Sequence, residues 1–324
     1  MARPSPYSWL VLAATFLVGG AAGALLYAII HQHSGRLADV HEFNNKYHFI
    51  NPLLACGEDL STLSNDEARK LQEEVEKNIE KHKASGDVTE VALYYRDLRN
   101  GPWVGVNFNT PYTPGSLLKV PLAMSIYKNA ESDPALLAKQ LEYTGQEVND
   151  EQFFKPTPFP PGKHSVEELV RQMLLNSDNN AANLLANEVG VDDFEATYDH
   201  LGISKPPSDG DGYTTSTREY ASFFRILYNA TYLDSEYSEE LLKLLSESTF
   251  KDGLAAGLPA SVVVAHKFGE RAVENSSLKQ LHDCGIVYVP NHPYLLCIMT
   301  RGYELPAMAK TIADLSWLTY NYAK

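Results

Sequence analysis

The sequence predicts an α/β domain of the α+β kind, in which helices flank one antiparallel sheet and an all-helical lobe is inserted. Two observations predict this fold. Apolar, β-branched runs of strand length lie near both ends of the domain, and the long middle part has a helical pattern. Strands from both ends can join one sheet if the middle part forms a separate lobe. We therefore expect a cleft between sheet and lobe, which is a natural place for a ligand.

The predicted elements follow in chain order. They are a helix (64–84), two strands (88–98 and 104–109), a helix (116–129), the helical middle part (134–248), three strands (262–268, 281–289 and 294–300) and a closing helix (305–322).

Local signals justify these boundaries. In the first helix, Ser64 is placed to cap the N-terminus and Glu67 completes a capping box. Asn100-Gly101 separates the first two strands and is typical of a tight hairpin turn. The last two strands are joined by the short Pro-bounded segment 290–293, so we expect them to pair as a hairpin.

Composition excludes several classes of protein. The chain has 324 residues, of which 44% are hydrophobic and 21% charged, so a collagen-like or disordered protein is excluded. The net charge of −14, with no long Lys/Arg stretch, excludes nucleic acid as the main partner. Cys284 and Cys297 lie in apolar runs, which predicts packed thiols rather than a redox pair.

Neither a metal site nor a cofactor is predicted. Asp209 and Asp211 resemble the start of a calcium loop, but Tyr220 stands where the bidentate Glu would be. A turn explains the two acids better.

The N-terminus predicts a membrane anchor. Residues 8–30 contain no charged residue, and at roughly 1.5 Å per residue they reach about 34 Å, enough to span a bilayer. No good signal-peptide cleavage site follows, so we expect an uncleaved single-pass anchor within residues 1–30. Residues 31–61 then predict a linker, and residues 62–324 the folded domain. The flanking charges hardly decide the orientation.

Three short motifs carry the chemistry, and the first is Ser116-Leu-Leu-Lys119. This spacing also occurs elsewhere in the chain, so context distinguishes it. Pro114-Gly115 places Ser116 in the first turn of a helix, where the N-terminal field favours a developing alkoxide. Lys119 lies one turn further on the same face, within reach of the serine hydroxyl proton.

The second motif, Ser177-Asp178-Asn179, interrupts two apolar helical runs, and the third, Lys267-Phe268-Gly269, ends an apolar strand. Taken singly, the second motif is explained by a helix junction with Ser177 or Asp178 as N-cap. A lysine at a strand end is usually just solvated. Gly269 would allow another backbone or a substrate to approach the strand closely.

In order and setting, the three motifs resemble those of the penicillin-recognising serine hydrolases, and most closely the class A β-lactamases. The resemblance covers about residues 62–322. The flanking sequences agree at 115–122, 177–182, 213–218, 257–260 and 284–290.

The resemblance implies a role for each motif residue. Ser116 would be the acylated nucleophile and Lys119 its base, and Ser177 would relay a proton to the leaving nitrogen. Asn179 would bind the substrate's side-chain amide, and Lys267 would bind the substrate carboxylate. The substrate would lie along the strand at Gly269 and Glu270. The backbone N–H groups of Ser116 and Glu270 would form the oxyanion hole.

Three departures from the family pattern matter. Class A enzymes carry a Glu that activates the deacylating water, and the corresponding stretch 202–212 contains none. Phe268 replaces a hydroxyl residue of the third motif, and Cys284 stands where many relatives have an Arg. Acylation is expected, whereas fast deacylation of a β-lactam is not.

Three functions remain open, all for an extracytoplasmic domain at the cell membrane. The first is slow β-lactam hydrolysis, and the second is a D-Ala-D-Ala peptidase that forms long-lived penicilloyl adducts. The third is a non-catalytic module that binds the cell wall. Substitution of Ser116 by Ala separates enzyme from binder, since a binder keeps its ligand. Cleavage of a D-Ala-D-Ala peptide separates peptidase from lactamase.

Overall fold

The computed structural model describes residues 47–51, 65–99, 102–145, 153–154, 159–206, 212–273 and 276–324. The predicted anchor 8–30, the cap Ser64, the turn Asn100-Gly101 and both Asp209 and Asp211 lie outside these residues. No helix within the described ranges is both long and apolar enough to cross a membrane. The anchor therefore stays a prediction.

Seven strands are present in the described residues. They are β1 (Glu90–Asp97), β2 (Trp103–Val106), β3 (Gln140–Tyr143), β4 (Gly162–Ser165), β5 (Val263–Ala272), β6 (Lys279–Tyr288) and β7 (Tyr294–Gly302). Five of them form one sheet in the order β2-β1-β7-β6-β5. Every pairing in it is antiparallel, and β1 lies against β7 with Glu90 opposite Arg301. The predicted sheet from both ends of the domain is confirmed.

The helices are α1 (Asn65–Ala84), α2 (Lys119–Ser132), α3 (Ala135–Ala138), α4 (Val166–Leu175), α5 (Asn179–Val189), α6 (Val191–Leu201), α7 (Thr217–Tyr228), α8 (Ser235–Ser246) and α9 (Leu305–Ala323). Short 3-10 turns cover Gly115–Leu118 and Leu254–Gly257. Side-chain caps fix several helix starts, because Ser165, Ser216 and Asp234 each accept a backbone N–H three residues on.

The sheet carries a hydrophobic core on each face. One core holds the buried side of α1, including Leu71 and Val75, and the buried side of α9, including Met308 and Ile312. The other core holds the apolar sides of the lobe helices, with α7 against β1, β6 and β7. The sheet is thus buried on both faces, and its edge strand β5 lies beside the turn that begins with Gly115.

The lobe is not entirely helical, which corrects the sequence-based expectation. Strands β3 and β4 form a two-stranded antiparallel ribbon within it. Each strand has only four residues. In β3, Gln-Leu-Glu-Tyr, the alternation of polar and apolar residues is too short to stand out, and β4, Gly-Lys-His-Ser, has no aliphatic side chain.

The expectation of separate packed thiols is wrong. Cys284 and Cys297 form a disulfide, with 2.01 Å between their sulfur atoms. They face each other directly in the register of β6 and β7. Sequence spacing alone does not reveal that register, so it could not predict the bond.

Residues 47–51, in the predicted linker, lie against the domain. The carboxylate of Glu239 accepts the backbone N–H groups of Phe49 and Ile50 at 2.7 and 3.0 Å. The side chain of Ile50 is buried. This part of the chain is therefore packed.

Gly257 permits the contact between the 3-10 turn and α9. A Cβ atom at this position would lie 2.1 Å from the carbonyl oxygen of Ala313, a backbone atom that cannot swing away. We expect Gly257→Ala to lower the free energy of unfolding by about 2–3 kcal/mol. Gly302→Ala is the control, since its new Cβ would be 3.3 Å from its nearest neighbours. Urea unfolding measures both, and equal losses would contradict the prediction.

Candidate active site

Ser116 lies in the 3-10 turn that leads into α2, and Lys119 is the first residue of that helix. The Nζ atom of Lys119 lies 3.0 Å from the Oγ atom of Ser116. The lysine side chain is buried. The serine hydroxyl and the amine are thus within direct proton-transfer distance.

Ser177 stands between α4 and α5 in a left-handed backbone conformation, with φ of 54°. This conformation is costly for a residue with a Cβ atom, and such residues concentrate at functional sites. The next residue, Asp178, helps to hold Ser177 in this conformation. Its carboxylate caps α5 by accepting the N–H of Ala181 at 2.8 Å. The Ser177 side chain is fully buried.

Lys119 joins the first motif to the second. Its Nζ atom donates to the carbonyl oxygen of Ser177 at 2.6 Å and to the Oδ1 atom of Asn179 at 2.5 Å. It also lies 3.2 Å from the Ser177 hydroxyl. These bonds hold the lysine amine between the two serine hydroxyls.

Lys267 extends from strand β5 to the Ser177 hydroxyl. Its Nζ atom donates to Ser177 Oγ at 2.9 Å and to the carbonyl oxygen of Phe268 at 2.9 Å. Burial holds the pKa of Lys267 well below its usual range, and the nearby charge of Lys119 lowers the pKa further. The carboxylates of Asp283 and Glu270 act in the opposite direction on this pKa.

Two glycines let β5 approach the turn that carries Ser116. A Cβ atom on Gly269 would lie 2.6 Å from the carbonyl oxygen of Pro114, and one on Gly115 would lie 2.5 Å from that of Glu270. The close approach that the sequence predicted at Gly269 is therefore seen, and the approaching segment is the backbone at Pro114. It brings the backbone at Ser116 and Glu270 side by side.

The side chain of Glu270 has a contact that sequence reasoning missed. Its carboxylate accepts the backbone N–H groups of Phe153 and Phe154 at 2.9 and 3.0 Å. Burial raises the pKa of Glu270, while these hydrogen bonds and the charge of Lys267 oppose the rise. Nothing in the local sequence pairs residues so far apart.

Phe268 contributes packing instead of a hydroxyl. Its ring stacks on Phe250 with 4.2 Å between ring centroids and meets Phe154 edge-on at 5.8 Å. The Nζ atom of Lys267 lies 4.2 Å from the centre of the Phe268 ring. Cys284 stands opposite Lys267 in the sheet register and ends in the disulfide, so no guanidinium is supplied there.

The structure thus brings the Ser116 and Ser177 hydroxyls together with the side chains of Lys119, Asn179 and Lys267. Gly269 and Glu270 lie on the adjoining strand β5. The arrangement offers a nucleophile next to an amine and a second hydroxyl between two amines, which suits acyl transfer. Within the described residues, no group of His, Cys, Asp and Glu side chains could hold a metal ion.

Comparison with known proteins identifies the family. The model of the beta-lactamase enzyme family matches residues 70–323, most of the chain. The chain belongs to the beta-lactamase enzyme family. A beta-lactamase of Streptomyces lavendulae is 26% identical over 252 residues, which cover 70% of this chain and 80% of that protein.

Solved structures share the fold. A beta-lactamase of Chitinophaga pinensis superposes with a TM-score of 0.68 at 22% identity, covering 78% of this chain and 100% of that one. The structure of PBP-A superposes with a TM-score of 0.63 at 21% identity, covering 81% and 98%. The predicted fold is confirmed, and this family member is a hydrolase of the serine β-lactamase type.

Substitution of Lys267 tests whether the site lowers the free energy of unfolding of this beta-lactamase family member. We expect Lys267→Met to raise the free energy of unfolding by about 1–2 kcal/mol, because it removes a buried cation beside another. We also expect at least a 100-fold loss of acylation rate, or about 2.7 kcal/mol. Urea unfolding and reaction with a chromogenic β-lactam measure the two effects.

The stability gain should depend on pH. Because the pKa of Lys267 is lower in the folded state, the folded protein loses this proton first, and wild-type stability rises with pH through that pKa. The advantage of Lys267→Met should therefore shrink as the pH rises from the lowered pKa of Lys267 in the folded state toward the usual lysine pKa of about 10.4. Lys243→Met, on an exposed part of α8, is the control. A gain that is constant with pH would contradict this account.

Proposed function

We propose that this protein is acylated by β-lactams on Ser116 and releases the product slowly. One observation carries the proposal: Lys119 Nζ lies 3.0 Å from Ser116 Oγ inside a buried site. In its amine form, Lys119 accepts the serine proton as Ser116 Oγ bonds to the lactam carbonyl carbon. The carbonyl C–N bond then breaks, leaving a serine ester.

The remaining groups support this sequence of steps. Ser177 Oγ lies within hydrogen-bond distance of both Lys119 and Lys267, so it can pass a proton to the leaving nitrogen. The backbone N–H groups of Ser116 and Glu270, on two closely packed segments, are the proposed oxyanion donors. Lys267 is the proposed partner of the substrate carboxylate, and Asn179 that of the substrate amide.

Slow release follows from the sequence of the connection 202–212, which contains no Glu. Hydrolysis of the serine ester needs a base that activates water, and class A enzymes use a Glu from this connection for it. Without that carboxylate, we expect the ester to persist. A mutant of PBP-A has been solved as an acyl-enzyme complex with penicillin G, so an ester of this kind is known for a structural neighbour.

A second candidate is cleavage of D-Ala-D-Ala peptides, which the resemblance of the three motifs to the penicillin-recognising serine hydrolases implies. The same serine and lysines would form a peptidyl ester and release D-Ala. The segment 8–30 is proposed to anchor the domain at the outer face of the cell membrane, where such peptides occur.

Intact-mass spectrometry of the full-length protein in detergent tests the first proposal. After mixing with benzylpenicillin, we expect a mass gain of one drug molecule on Ser116 that lasts for hours. Ser116→Ala is the control and should gain no mass. Rapid loss of the drug with only a brief adduct would show efficient deacylation and contradict slow release. No adduct and no drug loss would favour the binding module.

Release of D-Ala from a diacyl-Lys-D-Ala-D-Ala peptide tests the second candidate. A peptidase should release D-Ala, and preincubation with benzylpenicillin should stop it because both reactions need Ser116. A protein that is acylated by penicillin but leaves this peptide intact would contradict the peptidase assignment.

A further inference from the structure

A cavity lies between α7 and the strands β1 and β2. Its volume is about 200 Å³, and it is lined chiefly by Tyr94, Arg96, Trp103, Arg218, Ser222 and Arg225. We call it the arginine pocket. The strands β1 and β2 occupy one side of the sheet, whereas the acyl-transfer site adjoins β5 at the opposite edge. At about 4.8 Å per strand, β1 and β5 are roughly 14 Å apart.

Three arginine side chains from two elements line this pocket. Arg96 comes from β1, and Arg218 and Arg225 are seven residues apart on α7, two turns along one helix face. Among the described residues, no carboxylate lies within ion-pair distance of any of the three. By contrast, ion pairs form at Arg69, Arg99, Arg171 and Arg301.

This convergence is unfavourable without an anion. Like charges that share a small pocket repel each other, and the guanidinium fork is shaped for bidentate bonding to phosphate or carboxylate. The chain as a whole carries a net charge of −14, so three cations without a carboxylate partner around one pocket are not a consequence of a basic composition. The pocket thus has the charge and donors of an anion site.

The aromatic wall of the pocket adds a second recognition element. Trp103 is 46% exposed, although it is a large apolar side chain. Its ring stacks on Tyr94, with 5.9 Å between centroids and 29° between planes. A flat, accessible aromatic surface beside three donors provides a face for a ring, such as that of a sugar.

The two elements together define the ligand. We propose that the arginine pocket binds a phosphate ester carried on a sugar ring. A phosphate monoester brings nearly two negative charges and at least three acceptor oxygens, which matches three guanidiniums better than a single carboxylate does. The volume admits a phosphate group and one ring.

A neighbouring cavity extends the site. It measures about 420 Å³ and shares Arg218 and Ser222 with the arginine pocket. The rest of its lining is Asn109, Pro111, Thr214, Thr215, Ser216 and the acidic Glu219. Hydroxyl and amide side chains suit the hydroxyl groups of further sugar units. The proposed ligand therefore includes phosphorylated saccharides longer than one ring. The proposal is independent of acylation at Ser116.

Calorimetric titration of the full-length protein in detergent with glucose 6-phosphate tests the proposal. At low salt we expect a dissociation constant below about 1 mM, equivalent to about −4.1 kcal/mol. Glucose and inorganic phosphate are the matched probes, and each should bind at least 10-fold more weakly. Arg96→Gln and Arg225→Gln should each weaken glucose 6-phosphate binding at least 10-fold, and Trp103→Ala should weaken it more than Trp103→Phe. Arg69→Gln, on exposed α1, should leave it unchanged.

Thermal unfolding of the same variants without ligand separates binding from structure. If the arginines are kept for a ligand, Arg96→Gln and Arg225→Gln should be at least as stable as wild type, because repulsion is relieved. Destabilisation of both would show a structural role and overturn the proposal. So would absence of heat with glucose 6-phosphate, or equal affinity for inorganic phosphate, which would mean that no sugar ring is recognised.

Discussion

Two buried lysine side chains on one serine hydroxyl are the constraint on which this site depends. Lys119 and Lys267 approach Ser177 Oγ from a helix and a strand at 3.2 and 2.9 Å. Burial disfavours each charge, and their proximity disfavours having both. The surrounding fold must therefore supply the free energy that holds them together. It does so with two hydrophobic cores, one on each sheet face, and with a capped helix start directly after Ser177.

The same constraint explains the local backbone. Ser177 takes a left-handed conformation, and the segment around Gly115 meets the segment around Gly269 with no room for a Cβ atom on either glycine. These features place hydroxyls, amines and backbone N–H groups within a few ångströms of each other before any ligand arrives. Such preorganisation is what acyl transfer requires, because a site already in place needs little rearrangement during reaction.

Much of this could be predicted from sequence, because the signals are local. The caps mark helix starts, the β-branched runs mark β5, β6 and β7, and the order of three motifs indicates the site. The rest depends on register and tertiary contact. The disulfide needs β6 and β7 aligned, and the strands β3 and β4 of the ribbon are too short to be recognised by their pattern. The Glu270 carboxylate accepts hydrogen bonds from residues more than 100 positions away. Similarly, Arg96 and Arg225 line the same cavity only once α7 packs on the sheet.

The sheet order has a consequence for the synthesis of this protein. Strand β1 has its inner partner in β7, and the paired side chains of Glu90 and Arg301 are 211 residues apart in the chain. The ribosome therefore synthesises the β1–β2 hairpin long before β7. Until β7 is made, one edge of β1 stays unpaired. The lobe helices, whose contacts are more local, can form in that interval. The site forms last, when β6 and β7 connect β5 to the β1–β2 hairpin. Nascent chains that lack these strands are therefore inactive.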